Sequence, residues 1–181
     1  FRKASGGYIT DPTWGLNPGI YTVNVKNGTP KLVTESGEFP HFGAKNDRIY
    51  VLRNGETPQL MKISLDNSSA DKEQALYQGK FATEYKVSPD GKYLAFAERF
   101  KVFVTPFVER GQVIDIGPSA KNLPVKKLSV RAGESINWNG QSNELYWSLG
   151  PDLYQASVIV DSQARDQREQ AIKNALQGVF L

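Results

Sequence analysis

Apolar residues along this chain come in short runs divided by polar turns, and the runs recur in a fixed frame. In Val87-Ser88-Pro89-Asp90-Gly91-Lys92-Tyr93-Leu94-Ala95-Phe96 an apolar residue precedes a polar turn, and an apolar strand opens at Leu94. Gly91 can take the positive φ of a tight turn and Asp90 can bond its own backbone, so Asp-Gly between apolar runs predicts a hairpin. The same frame places Phe42 before Ile49-Tyr50-Val51 and Trp138 before Leu145-Tyr146-Trp147. The anchors Phe42, Val87 and Trp138 lie 45 and 51 residues apart, near the roughly 40 to 50 residues of one four-stranded propeller blade.

Taken in order, the pattern predicts strands at Ile20 to Val25 and Lys31 to Thr34, joined by an Asn27-Gly28 turn. These read as the third and fourth strands of an incomplete blade within residues 1–38, with Tyr8-Ile9-Thr10 as a further short strand. A complete blade is expected over 39–80, with strands at Pro40 to Phe42, Arg48 to Arg53, Gln59 to Leu65 and Ala75 to Tyr77. Another is expected over 81–133, from Glu84 to Val87, Tyr93 to Glu98 and Lys101 to Pro106. Its outer strand comes from Val113 to Ile116 or from Lys127 to Val130, and the Gly117 to Val125 excursion between them belongs at the surface. A partial blade over 134–160 uses Ser135 to Trp138, Glu144 to Ser148 and Leu153 to Gln155. In the tail, 161–181, Ile172, Leu176, Val179 and Phe180 recur at helical spacing, which predicts a helix over about 162–177 capped by Asp161 or Ser162 and ended by Gly178. The predicted class is therefore all-β, a partial β-propeller of about three to four four-stranded blades with a C-terminal helix. A closed propeller needs about four to eight blades, so the remainder of the polypeptide or another protein is expected to cover the open blade faces.

Composition narrows the function classes. With 181 residues, 39% of them hydrophobic, the chain can bury a substantial core. No apolar run approaches the ~18 residues that cross a bilayer, so no membrane insertion is expected. The formal charge of +3 is scattered, and Lys121, Lys126, Lys127 and Arg131 make a loose group beside a turn, not a dense basic face with stacking aromatics. No nucleic acid is expected as a partner. Cysteine is absent, which removes disulfides and thiolate metal sites.

Ser88-Pro89-Asp90-Gly91-Lys92, preceded by an apolar residue and followed by Leu94-Ala95-Phe96, resembles the WD-like β-propeller repeats of TolB and related exported bacterial proteins. Val102 to Pro106, Ala120 to Val125 and Trp147 to Tyr154 extend that resemblance to the propeller region in front of the catalytic domain of some exported bacterial amidohydrolases. It implies a periplasmic or secreted location and a role as a scaffold that gates substrate entry to a metal-dependent hydrolase elsewhere. Alternatives are a TolB-like protein-binding propeller and the propeller of a peptidase.

Chemistry within the chain is sparse. His41 is the only histidine, whereas a hydrolytic metal site of the amidohydrolase kind needs several. No nucleophile elbow, phosphate loop or dinucleotide fingerprint is present, so no catalytic residue, metal or cofactor is assigned to this chain. Asp90 reads as a turn residue. Glu84, Glu98, Glu134 and Glu144 have no spacing that sets two across a substrate. Asn27-Gly28-Thr29 and Asn67-Ser68-Ser69 fit the glycosylation sequon. His41, Trp138 and Trp147 stand as channel-lining or contact candidates: His41 lies on an innermost strand, and strand alternation sends Trp138 and either Tyr146 or Trp147 into packing.

Overall fold

The computed structural model describes residues 1–3, 17–66 and 72–158, and every regular element among them is a strand. The described residues are all-β and form four sheets. The first sheet joins β1 (Arg2–Lys3), β2 (Gly19–Val23) and β3 (Pro30–Thr34). The second is a meander of β4 (Glu38–His41), β5 (Arg48–Arg53), β6 (Gln59–Ser64) and β7 (Glu73–Gln78). The third joins β8 (Ala82–Val87), β9 (Tyr93–Glu98) and β10 (Lys101–Pro106), and the fourth β13 (Glu134–Trp138), β14 (Glu144–Leu149) and β15 (Asp152–Ser157). The strand expected at Tyr8 to Thr10 and the C-terminal helix fall outside the described residues.

The sequence frame holds at the level of strand register. His41 faces Tyr50, Lys86 faces Ala95 and Asn137 faces Tyr146, three pairs at the same place in the frame. The first strand of each of these sheets carries one extra residue, placed between Glu38 and His41, between Ala82 and Glu84, and between Glu134 and Asn137. Such a bulge bends the strand and increases its twist. Phe39 (φ 51°) and Ser135 (φ 54°) take the left-handed conformation within it. Each repeat also closes with the same backbone bond at 2.8 Å, from Leu65 N to Asp47 O, from Phe107 N to Lys92 O and from Val158 N to Asn143 O.

The turn chemistry explains why the motif tolerates degeneracy. Gly91 (φ 71°) donates from its amide to Ser88 O at 2.9 Å, while Ser88 Oγ accepts Tyr93 N at 3.0 Å. In the last repeat Ser142 (φ 62°) occupies the place of Gly91 and donates to Asn139 O at 3.2 Å. Asn139 Oδ1 takes the part of the serine hydroxyl by accepting Asn143 N and Glu144 N. Asp90 Oδ1 accepts Ser88 Oγ at 2.6 Å and Lys92 N at 3.1 Å, so the aspartate serves the turn.

Strand alternation sorts the core into three apolar layers between successive sheets. Ile20 and Val33 of the first sheet pack with Ile49, Val51, Met61 and Ile63 of the second. The other side of the second sheet, Tyr50, Leu52, Leu60 and Tyr77, meets Tyr85, Leu94, Phe96 and Phe103 of the third. The remaining face of the third, Ala95, Val102 and Val104, meets Ile136, Leu145 and Trp147 of the fourth. Gly133 makes room for this last layer: a Cβ there would stand 2.4 Å from Trp147 Cδ1 and 2.7 Å from Val102 Cγ2.

Three features depart from the sequence reading. Phe42 is half exposed, because β4 ends at His41. The strand expected to run to Val25 stops at Val23, where Asn24 Oδ1 accepts Lys26 N at 2.8 Å and turns the chain. The two alternatives for the outer strand of the third sheet are both used, in different sheets. β12 (Lys126–Lys127) pairs with β10, while β11 (Ile114–Asp115) crosses to the second sheet and runs parallel to β7. The crossing segment is anchored as it passes: Phe107 stacks on Tyr77, Tyr77 Oη bonds both the amide and the carbonyl of Val108 at 2.8 Å, and Glu109 accepts Lys62 Nζ at 2.6 Å.

Candidate functional site at the first strands of the sheets

The first strands β4, β8 and β13 lie side by side in chain order, with β1 next to β4. Backbone groups of β8 and β13 are bonded by side chains from the neighbouring sheets, at Lys86 O, Val87 N and Ile136 N. His41 is the hinge of this arrangement. Its Nδ1 lies 2.9 Å from Phe39 O and its Nε2 accepts Val87 N at 2.9 Å. An acceptor at Nε2 fixes the tautomer with the proton on Nδ1, which donates to the carbonyl. Trp138 Nε1 donates to Lys86 O at 3.0 Å. The peptide unit joining Lys86 to Val87 is therefore held at both its polar groups, by a ring from the second sheet and a ring from the fourth. Glu84 Oε2 adds a bond from Ile136 N at 3.1 Å.

His41, proposed from the sequence as a channel-lining residue, also forms part of the wall of a cleft of about 200 Å³ between the first and second sheets. Phe1, Tyr21, Val23, Phe42 and Ile49 line the rest, with Phe1 stacked on Tyr21 at 5.7 Å. Both imidazole nitrogens are already engaged, so the ring offers the cleft a surface, not a base or a ligand atom. Burial pushes its pKa down to about 3, with the hydrogen bond to Phe39 opposing and the charge of Lys86 reinforcing that shift.

Trp138 and Trp147 are both packing residues. Trp147 is 5% exposed and stacks on Tyr154 at 6.2 Å, and Trp138 stacks on Tyr93 at 6.2 Å. Tyr146, on the opposite face, donates to Glu144 Oε2 at 2.9 Å. The structure thus joins His41 and Trp138 through one peptide, while Trp147 packs in the apolar layer that Trp138 borders and makes no hydrogen bond to that peptide.

Lys86 is the residue of this group that sequence reasoning missed. Its ammonium is half-buried, stands 6.0 Å from the centre of the Phe39 ring, and has no carboxylate oxygen within 4 Å among the described residues. Its place is equivalent to that of His41 and Asn137 in the frame, and only the alignment of the three repeats could have singled it out. Among the described residues no group of three or more His, Asp or Glu side chains could hold a metal ion. No protein-family model matches the chain, and no curated protein matches it significantly.

One consequence concerns pH. The folded-state pKa of His41 lies below its ordinary 6.5, so the unfolded chain binds the extra proton between pH 6.5 and about 3. The stability His41 contributes is complete above 6.5 and falls as pH drops through that window, with a slope of at most about 1.4 kcal/mol per pH unit. Glu84 and Glu98, both raised by burial, act with the opposite sign, so the contribution is read as the difference between wild type and His41→Leu. Urea unfolding from pH 7.5 to 4 should show that difference shrinking with acid; a constant difference would contradict the pinned neutral imidazole.

Proposed function

We propose that this chain is a non-catalytic β-propeller segment, in which the four sheets are consecutive blades around an axis lined by β1, β4, β8 and β13. The observation that carries this reading is the side-by-side order of those first strands, combined with apolar packing on both faces of the two middle sheets. In a propeller each blade buries its faces against its neighbours and the variable surface lies at the ends of the central channel. The first sheet still exposes Leu32 and Val23, apolar groups suited to a further blade. On this reading the chain is a scaffold, resembling the propeller of exported bacterial amidohydrolases. It gates substrate entry while hydrolysis is performed by other sequence, in a periplasmic or secreted protein.

The test is hydrogen exchange on this chain compared with the full natural polypeptide that contains it. The reading predicts added protection along β2 and β3 in the longer polypeptide. Unchanged exchange there would overturn the completed ring. Flanking sequence with a His-x-His strand would support the amidohydrolase parent, and a Gly-x-Ser-x-Gly elbow would replace it with a peptidase.

A further inference from the structure

We propose that Lys86 and Phe39 form a recognition site for a carboxylate carried on an aromatic or apolar body, on the surface shared by the first strands of the second and third sheets. This goes beyond the scaffold reading and does not require a closed ring.

Four observations converge on it. Lys86 is half-buried with no carboxylate oxygen within 4 Å of its ammonium among the described residues, and the ammonium stands over the Phe39 ring, 6.0 Å from its centre. A partly desolvated cation gains most from an oxyanion placed beside it. Glu84, the acidic group that shares its side of β8, spends Oε2 on Ile136 N and is itself 5% exposed. The peptide following Lys86 is fixed by His41 and Trp138, so the lysine stem leaves from a rigid position, which lowers the ordering cost of binding. Phe39 is 39% exposed and sits at φ 51°. Ser135 shares the left-handed conformation at the bulge of the fourth sheet. A large aromatic ring there is peculiar to the second sheet, and it presents an apolar face next to the ammonium. Burial lowers the Lys86 pKa, with the charge of Glu84 opposing.

The experiment is a titration of the whole chain, ¹⁵N-labelled, with N-acetylphenylalanine, followed by the amide signals of Phe39 and Lys86. N-acetylphenylalaninamide supplies the same ring without the charge, and acetate the charge without the ring. The expected result is a saturable, millimolar shift confined to these signals, at least tenfold weaker with either control compound. Lys86→Met should lose at least tenfold in affinity and Phe39→Leu several-fold, with the Trp138 indole signal unmoved. If Lys86→Met displaces that indole signal, Lys86→Gln takes its place with the same expected loss. Equal shifts from the neutral amide, retained binding without the lysine, or shifts spread over all lysines in proportion to ionic strength would overturn the proposal.

Discussion

Trp147→Ala should lower stability by about 3–5 kcal/mol, the cost of deleting a large buried side chain and leaving its cavity. Trp147 is the largest buried side chain in the layer between the third and fourth sheets, where it packs with Ala95, Val102 and Val104 and lies flat on Tyr154. Gly133 leaves the space that the indole fills, since a Cβ there would stand 2.4 Å from Trp147 Cδ1. Chemical denaturation followed by far-UV circular dichroism measures it. A loss below about 1 kcal/mol would mean that the fourth sheet is not held on the third through this ring. Trp138→Phe, which keeps the stacking on Tyr93 but deletes the indole donor to Lys86 O, should cost less, about 1–3 kcal/mol for the unsatisfied carbonyl.

Phe96→Ala should cost a similar 3–5 kcal/mol by emptying the adjacent layer. Phe96 is fully buried and stacks on Phe103 at 5.2 Å, between the second and third sheets. It stands next to Ala95 on β9, yet alternation points the two in opposite directions, so Phe96 and Trp147 act in different layers. Their losses should therefore add within about 0.5 kcal/mol in the double variant, provided enough stability remains for a transition to be measured. Strong non-additivity would mean that the layers are one continuous core.

The middle of each repeat was legible because its signals are local. Asp90-Gly91 marks the turn, and the apolar runs at Arg48–Arg53, Tyr93–Glu98 and Lys101–Pro106 mark strands whose observed bounds agree with the reading. Ser142 shows how far the motif can drift, since a serine at φ 62° stands where glycine does in the sharpest copy. What escaped was non-local. β11 falls within the strand expected at Val113 to Ile116, but it pairs in parallel with β7 of the second sheet, and no periodicity announces such a partner. β4 stops before Phe42, and the bulge within it gives Phe39 a left-handed backbone, which composition does not encode for phenylalanine. His41 was visible as the lone histidine, but its partner Val87 is 46 residues away. The bond follows from how two sheets stack and from nothing in the residues flanking either.

The central claim is that the sheets follow one another in chain order, joined through the Lys86–Val87 peptide. Nuclear Overhauser contacts test it most directly. The account predicts contacts from the Val87 amide to the His41 ring and from the Trp138 indole N–H to Lys86, with none linking β5 to β14. Cross-strand contacts pairing 38–41 directly with 134–138 in a single ladder would contradict it.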